Sequence, residues 1–538
     1  MRICLISREY PPETGWGGIG AYTYQHANAL VALGHDVEVV ALARKEETTE
    51  PPIGNGAENP SRHVVPLHRA VWGHLLDELA TIWISLPYSH YLFKTTIALW
   101  NKFSELHAAK PFDVVETPEH LAEGLLIAMT KSCPLVVRLH TPHFKFVAER
   151  YHNLSPSFDH NLFGMLERMT ILNADAISSP SQELANYVSR DCGYDAQAIH
   201  IVRNGVDVEK FKPEGGKALP AADQVTVMFA GRLEERKGIH QLIDAIPLVL
   251  EQTKNVRFVI VGRDMKVGRR SVAETVKRRL SATGTSQYVQ FINHVPLSEM
   301  PALYRSADIC VVPSLYENAP YTVLEAMACG RPVVATSAGG TPEYIDDGAT
   351  GFVIPPGRAA EIAAAIVKLV ISPERRTAFG QAGRAKAHAM LESSKIVQDE
   401  LNVYEQAIVN YRTSRQFAQY RKPPEEAFSD VRDLIYSYHQ NLYQLIYVHS
   451  LSFRIKHWLT LGLKRPRLCA AKALLSPLNL AHDLSGYRST LLEGVTRKLD
   501  VDIKAKESER EELFKSFIGN SLRSPQLEKL TSTQGSES

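Results

Sequence analysis

The chain has 538 residues, enough for two to four domains, and 44% of them are hydrophobic, as in a soluble globular protein. Its 60 Lys and Arg residues balance 59 Asp and Glu residues, leaving a formal net charge of +1. This balance gives no sign of a general nucleic-acid binder.

The scattered cysteines indicate a reducing compartment, and the apolar stretches are too short or too interrupted for a signal peptide or a membrane span. Six cysteines are scattered without a CxxC or zinc-ligand spacing, which predicts buried thiols. The chain enters a strand pattern at once, without the apolar region of a signal peptide. Its most apolar stretch, 79–93, is interrupted by Pro87, Ser89 and His90, so no membrane span is expected. We therefore expect a cytoplasmic protein.

The first 42 residues predict a βαβ unit with a glycine-rich first loop. Strands are expected at 2–7 and 36–42, with a helix at 21–33 between them. Gly17 and Gly18 precede this helix, whose N-terminus could bind an anion. This glycine-rich loop is a weak signal by itself, because a turn that needs glycine for its backbone would explain it equally well.

Alternating strands and helices continue through the first half. A polar loop is expected at 45–65, and helices whose aromatic residues fill a core are expected at 68–108. Three further strands are predicted at 113–116, 135–140 and 174–179, and a helix is expected to start at 118–120. His140 ends one of these strands, where a side chain faces the ligand crevice of a doubly wound sheet.

Two cations precede a helix at the start of the second half. A strand at 225–230, a loop at 231–238 and a helix at 239–250 carry Arg232 and Lys237 in the loop. Cations and backbone amides at a helix N-terminus could hold a diphosphate, although surface cations are often simply solvated.

Two glutamates mark the unit from Asp308 to Gly330. A buried strand is expected at 309–312, followed by a loop with Glu317. A helix at 321–329 is expected to have Pro320 at its first position and contains Glu325. Free amides at its start, those of Tyr321 and Thr322, suit a phosphate, and the carboxylates could accept hydrogen bonds from sugar hydroxyls.

This pattern, Glu, seven residues, Glu, followed by Ala-Met-Ala-Cys-Gly-Arg-Pro-Val-Val-Ala, resembles the retaining glycosyltransferases of family 4. The resemblance covers about residues 1–410. It implies an α/β GT-B fold, in which two Rossmann-like doubly wound parallel-sheet domains face a cleft, plus a helical C-terminal extension. The implied boundaries are an N-terminal domain at 1–213, a nucleotide-sugar domain at 214–392, a helix crossing back at 393–410, a helical extension at 411–515 and a disordered tail at 516–538.

The resemblance also implies roles for individual residues. His140 and Glu317 would position the transferred sugar. The remaining candidates would bind the donor: Gly17 and Gly18 beside its diphosphate and the acceptor, Arg232 and Lys237 on the leaving diphosphate, Val295 near the base, Tyr321 and Thr322 on phosphate, and Glu325 on the ribose. No metal or other cofactor is expected.

The implied activity is transfer of a hexose, with retention, from a UDP- or GDP-linked donor to a hydroxyl of a glycan, a lipid-linked sugar or a small molecule. Two alternatives remain open. A sugar-nucleotide epimerase would share the fold, and a non-catalytic assembly protein would act through the C-terminal extension. No nucleic-acid partner is expected.

The extension lies outside the resemblance. Residues 427–463 are expected to be helical, and the segment 453–467 is both basic and apolar. It could lie on a membrane surface as a peripheral contact. A helix packed on the catalytic core, with its cations in solvent, is the alternative.

Overall fold

The computed structural model describes residues 1–11, 17–43, 59–66, 87–150, 158–267, 270–293 and 295–414. By its internal contacts the chain divides into a unit of residues 1–435 and a unit of residues 436–538, and every described residue belongs to the first. The predictions for 427–463, 453–467 and the tail therefore lie outside the described residues. Within the described ranges, no helix is both long and apolar enough to cross a membrane.

The first half of the chain forms a seven-stranded sheet in which every neighbouring pair of strands is parallel. The strand order is β3-β2-β1-β4-β5-β6-β7. The strands are β1 (Arg2–Ile6), β2 (Asp36–Leu42), β3 (Ser61–Val65), β4 (Val114–Pro118), β5 (Leu135–Arg138), β6 (Ala176–Ser179) and β7 (Ile199–Ile201). The helices are α1 (Gly18–Ala32), α2 (Pro87–Ala109), α3 (Leu125–Thr130), α4 (His143–Arg150), α5 (Phe158–Leu172) and α6 (Gln182–Cys192).

A second parallel sheet of six strands follows, in the order β12-β9-β8-β13-β14-β15. Its strands are β8 (Val225–Ala230), β9 (Val256–Val261), β12 (Val289–Ile292), β13 (Ile309–Val312), β14 (Val333–Thr336) and β15 (Gly351–Ile354), while β10 (Lys266–Val267) and β11 (Arg270–Ser271) form a separate antiparallel pair. The helices are α7 (Ile239–Gln252), α8 (Val272–Ala282), α9 (Met300–Ser306), α10 (Tyr321–Ala328), α11 (Ala359–Val370) and α12 (Pro373–Met390).

The inner strands of both sheets are covered on their two faces, which explains why they are mostly apolar. In β1, Ile3 and Leu5 pack into one core cluster while Cys4 and Ile6 pack into another on the opposite face. The final described helix, α13 (Ser393–Ser414), contributes to the first of these clusters. The chain therefore returns to the first sheet after completing the second.

The polar segment 45–65 was wrongly expected to be a loop throughout. Its end forms β3, which pairs with β2 at the edge of the first sheet. All five residues of β3 are only half-buried, so an edge strand here needs no apolar run. One of them, His63, contacts a carboxylate oxygen of Glu38 at 3.0 Å through Nε2.

Three helix and strand boundaries near the site also differ from expectation. The strand before His140 ends at Arg138, which leaves His140 in a loop. Instead of a helix starting at 118–120, a short 3₁₀ turn at His120–Ala122 contains left-handed backbone (Leu121, φ 58°), which interrupts the helical path before α3 begins. Pro320 is the N-cap of α10, with extended backbone (φ −73°, ψ 113°), not its first helical residue.

Candidate active site

Lys237 and Glu317 meet where two loops of the second sheet converge. Lys237 lies at the end of the loop between β8 and α7, and Glu317 lies in the loop between β13 and α10. The Nζ atom of Lys237 donates a hydrogen bond to Oε2 of Glu317. Both side chains are largely buried, at 20% and 15% exposure. The structure thus joins one predicted diphosphate ligand to one predicted sugar ligand.

A second cation on the same carboxylate was not among the predicted residues. Nη1 of Arg236 donates to Oε2 of Glu317 at 3.2 Å, while its Nη2 donates to Glu234 at 3.1 Å. Arg232 donates to the same Glu234 oxygen at 3.2 Å and is half exposed. Three cations of one loop are therefore linked through Glu234 and Glu317. The position of Arg236 between the two predicted cations was the signal available in the sequence.

The charges around Glu317 decide its protonation state. Burial alone would raise the pKa of Glu317, but the charges of Lys237 and Arg236, with the hydrogen bond from Lys237, lower it below its usual value. Burial has the opposite effect on the amine of Lys237: it lowers the pKa of Lys237, and the charge of Glu317 opposes that shift. Glu317 is therefore a carboxylate at neutral pH, able to accept hydrogen bonds from sugar hydroxyls.

Two glycines allow the backbone to approach this pair closely. Gly238 has left-handed backbone (φ 70°), and a Cβ there would overlap the carbonyl oxygen of Pro313. Gly339 is also left-handed (φ 60°), and a Cβ there would overlap the carbonyl oxygen of Glu317. The neighbouring Gly340 donates its N–H to that same oxygen at 3.1 Å. The position of Glu317 thus depends on glycine-containing loops after two different strands.

Glu325 lies one turn inside α10 and does not contact the Lys237–Glu317 pair. Its side chain is buried and accepts a hydrogen bond of 2.7 Å from the hydroxyl of Tyr304. Burial raises the pKa of Glu325 to about 7, against the opposing effects of the Tyr304 hydrogen bond and the charge of Lys210. A buried carboxylate with one neutral partner has room for further hydrogen-bond donors, such as the paired hydroxyls of a ribose.

The N-terminus of α10 offers backbone amides. No side chain caps the helix at Pro320, and the carbonyl of Pro320 accepts the N–H of Val323 at 3.0 Å. In the described part of the chain, the amides of Tyr321 and Thr322 have no hydrogen-bond acceptor. They are therefore available to an anion at the helix N-terminus.

His140 lies two residues beyond β5. Its backbone N–H donates to both carboxylate oxygens of Glu119, at 3.0 and 2.9 Å, and its ring meets that of Tyr22 edge-on at 5.1 Å. Burial, with the charge of Arg138, lowers the pKa of His140 well below its usual value. Its imidazole is therefore neutral near pH 7 and can donate or accept a hydrogen bond.

His140 also lies beside the glutamate loop. The side-chain amide of Asn318, the residue after Glu317, donates to the carbonyl oxygen of His140. It also donates to the hydroxyl of Thr141 at 2.8 Å. The two predicted sugar ligands, one from each sheet, are therefore held on neighbouring loops. Sequence reasoning did not select Asn318, because no local pattern shows a contact with a loop 178 residues away.

The remaining predicted residues lie at loop ends. Gly17 is the N-cap of α1, which has no side-chain cap, and a Cβ on Gly17 would overlap the carboxylate of Glu9. Gly18 begins the helix and has open space where a Cβ would stand. Val295 follows β12 and packs, half-buried, against the core of the second sheet.

Among the described residues, no three His, Cys, Asp or Glu side chains are gathered so as to hold a metal ion.

Two parallel α/β sheets, with a returning helix and with glutamate and cation loops at the edge of the second sheet, define the GT-B class of glycosyltransferase. Residues 212–386 match Glycosyl transferases group 1, and residues 16–210 match Glycosyltransferase Family 4. The chain therefore belongs to the GT-B glycosyltransferases of group 1, and it is a transferase.

Curated relatives match over most of their length. The glycogen synthase of Mycobacterium tuberculosis is 26% identical over 412 residues, which cover 75% of this chain and 94% of that protein. The D-inositol 3-phosphate glycosyltransferase of Corynebacterium glutamicum is 26% identical over 429 residues, covering 76% and 98%. Sucrose-phosphate synthase from Thermosynechococcus elongatus shares the fold, with a TM-score of 0.61 and 24% identity, covering 76% of this chain and 99% of that one.

Proposed function

We propose that the protein transfers a hexose, with retention of configuration, from a nucleoside-diphosphate sugar to a hydroxyl group. The observation that carries this proposal is the convergence of Lys237 and Arg236 on the carboxylate of Glu317, four residues before the free amides at the start of α10. This arrangement offers positive charge for a diphosphate and an ionised carboxylate for sugar hydroxyls.

The reaction breaks the bond between the anomeric carbon of the sugar and a phosphate oxygen. Negative charge grows on the leaving diphosphate, where Lys237, Arg232 and the amides that begin α10 would stabilise it without a metal ion. The acceptor oxygen bonds to the anomeric carbon on the face that the diphosphate leaves. Its proton passes to the departing phosphate oxygen, so the step needs no protein nucleophile.

Glu317 and His140 would hold the transferred sugar. The ionised Glu317 accepts hydrogen bonds from sugar hydroxyls, and the neutral His140 can donate one or accept one. Glu325 would bind the ribose hydroxyls one helical turn from the phosphates. Val295 would lie near the base, and Gly17 and Gly18 beside the diphosphate and the acceptor.

The donor is expected to be UDP- or GDP-linked, and the relatives widen the choice of acceptor. Their names describe a glycogen synthase and an inositol 3-phosphate glycosyltransferase, so a glucan and an inositol phosphate are both reasonable acceptors to test. A thermal-shift screen of UDP-, GDP- and ADP-sugars should identify the donor, because a ligand that binds the folded state raises the melting temperature.

The selected donor is then incubated with and without acceptors, and the products are analysed by NMR. Transfer only in the presence of an acceptor, with the anomeric configuration of the donor kept, is the expected result. A new sugar nucleotide formed without acceptor would identify an epimerase instead. A donor that neither stabilises the protein nor reacts would count against both activities.

A further inference from the structure

Asn318 joins the loop of Glu317 to the loop of His140. The residue is buried, with 4% of its surface exposed. Its Nδ2 atom donates to the carbonyl oxygen of His140 and to the hydroxyl of Thr141. Its Oδ1 atom accepts a hydrogen bond from the hydroxyl of Tyr316. Both amide hydrogens and the amide oxygen are therefore in use, so the side chain has one defined orientation.

Other hydrogen bonds hold the backbone on either side of Asn318. Arg236 donates to the carbonyl of Tyr316 at 3.1 Å, and Asn204 donates to the carbonyl of Ala319 at 3.2 Å. Neither of these bonds reaches the His140 loop. The Asn318 side chain, in contrast, supplies two direct hydrogen bonds between the two sugar-ligand loops.

We propose that Asn318 is a positioning residue, whose side chain fixes His140 and Glu317 relative to each other across the two sheets. This inference rests on the proposed function, since it assumes that both residues contact the transferred sugar. A displacement of about 1 Å between such groups can slow a reaction by roughly 100-fold, so a single bridge can control the rate. Asn318 itself need not touch the donor.

The chemistry of the bridge requires an amide. Both groups that receive the Nδ2 hydrogens present oxygen atoms, namely the His140 carbonyl and the Thr141 hydroxyl. Asn318→Asp keeps the size of the side chain but places a carboxylate oxygen against the carbonyl oxygen. The bridge then becomes a repulsion between buried oxygens, whereas Asn318→Ala only removes it.

A second contact also joins the two sheets, between the loop after β14 and the start of α6. It can report whether the two sheets separate there. The carboxylate of Glu343 accepts the backbone N–H groups of Gln182 and Glu183, each at 3.0 Å, where α6 begins. Arg203 donates to the same carboxylate at 3.1 Å. The first-turn amides of α6 have no acceptor within their own helix, so loss of this contact would expose Gln182 and Glu183 to solvent exchange.

The experiment compares Asn318→Asp and Asn318→Ala with Asn186→Ala in the full chain. Asn186 is a matched control for kcat because it is an asparagine on the exposed side of α6, where its side chain accepts a hydrogen bond from that of Gln182. We expect kcat to fall at least about tenfold in Asn318→Ala and further in Asn318→Asp, with little change in the control. The Kd for the nucleoside diphosphate should stay within about twofold, because the sugar is displaced and the nucleotide is not.

Hydrogen exchange supplies a readout that does not depend on activity. Exchange at Gln182 and Glu183 should be faster in Asn318→Asp than in the wild-type protein, at unchanged melting temperature. Unchanged kcat in Asn318→Asp would overturn the proposal, and so would equal losses of kcat, nucleotide affinity and stability, which indicate a merely structural role. Failure of the proposed function is distinguishable, because the wild-type protein itself would then transfer no sugar.

Discussion

The Nζ atom of Lys237 donates a hydrogen bond to Oε2 of Glu317, 80 residues further along the chain. The two residues lie in loops that follow β8 and β13, which are neighbours in the second sheet. Parallel strands bring their carboxyl ends to the same edge, so residues far apart in sequence meet there. The pair links the expected diphosphate site to the expected sugar site.

Replacement of Lys237 tests the diphosphate site. Lys237→Ala should lower kcat/KM for transfer by at least about 100-fold, because a buried cation no longer stabilises the leaving group. The fold should persist, since Arg236 still pairs with Glu317 at 3.2 Å. Steady-state kinetics and the melting temperature check both expectations.

Lys217→Ala is the control for this substitution, because Lys217 is exposed on the segment between the two sheets. It should leave kcat/KM unchanged. Turnover of Lys237→Ala at the wild-type rate would remove the charge-stabilisation argument.

Arg236→Met should change the pH dependence of transfer. Burial raises the pKa of Glu317, and Lys237 and Arg236 together lower it below its usual value. Removal of one cation therefore raises the pKa of Glu317, and its carboxylate is lost at a higher pH as the solution is acidified. The acidic limb of the kcat/KM profile should move to higher pH, measured from about pH 4 to pH 8.

Arg375→Met, on the exposed surface of α12, is the control for that profile. Its acidic limb should coincide with that of the wild-type protein. A limb in Arg236→Met that stays in place or moves to lower pH would contradict the assignment of that limb to Glu317.

Much of the second sheet was predictable because its chemistry is local. The strands at 225–230 and 309–312 have the predicted bounds, since each is a short run with β-branched residues that is ended by glycine or proline. Lys237 and Glu317 were selected from motif spacing, and the topology of the sheet brings them together.

Contacts between residues that are distant in the sequence could not be read from local patterns. Arg236 and Asn318 looked like ordinary polar loop residues, and only tertiary structure shows that one pairs with Glu317 and the other reaches His140. The partner of Glu325 was missed for the same reason, since Tyr304 lies in the preceding helix α9. The edge strand β3 was missed because its half-buried residues carry no apolar alternation.

Glu325→Gln tests the ribose site. An amide offers a neutral acceptor in place of a carboxylate, so a charge-assisted hydrogen bond to a ribose hydroxyl would be lost. We expect the nucleoside diphosphate to bind more weakly by roughly 1–3 kcal/mol, as measured by calorimetry. Unchanged affinity would place the ribose elsewhere.

The same variant should be more stable than the wild-type protein above neutral pH. Burial raises the pKa of Glu325 to about 7, against 4.5 in its ordinary state. The folded protein therefore holds this proton more tightly, and stability falls as pH rises from about 4.5 to about 7. Glu325→Gln should remove that loss, raising stability near pH 8 by about 1–3 kcal/mol and changing it little near pH 4. Urea unfolding at the two pH values measures the difference, and equal effects at both would contradict it.

Gly238→Ala should destabilise the protein more than Gly284→Ala, although both glycines have left-handed backbone with φ of 70° and 64°. A Cβ at Gly284 meets no atom within 4 Å, so only the backbone penalty of about 1–2 kcal/mol applies. At Gly238 the Cβ would also overlap the carbonyl oxygen of Pro313, and the total should reach roughly 2–5 kcal/mol. Urea unfolding compares the two variants, and equal losses would show that the loop moves away freely. Because Lys237 precedes Gly238, we also expect Gly238→Ala to weaken donor binding in calorimetry, while Gly284→Ala leaves it unchanged.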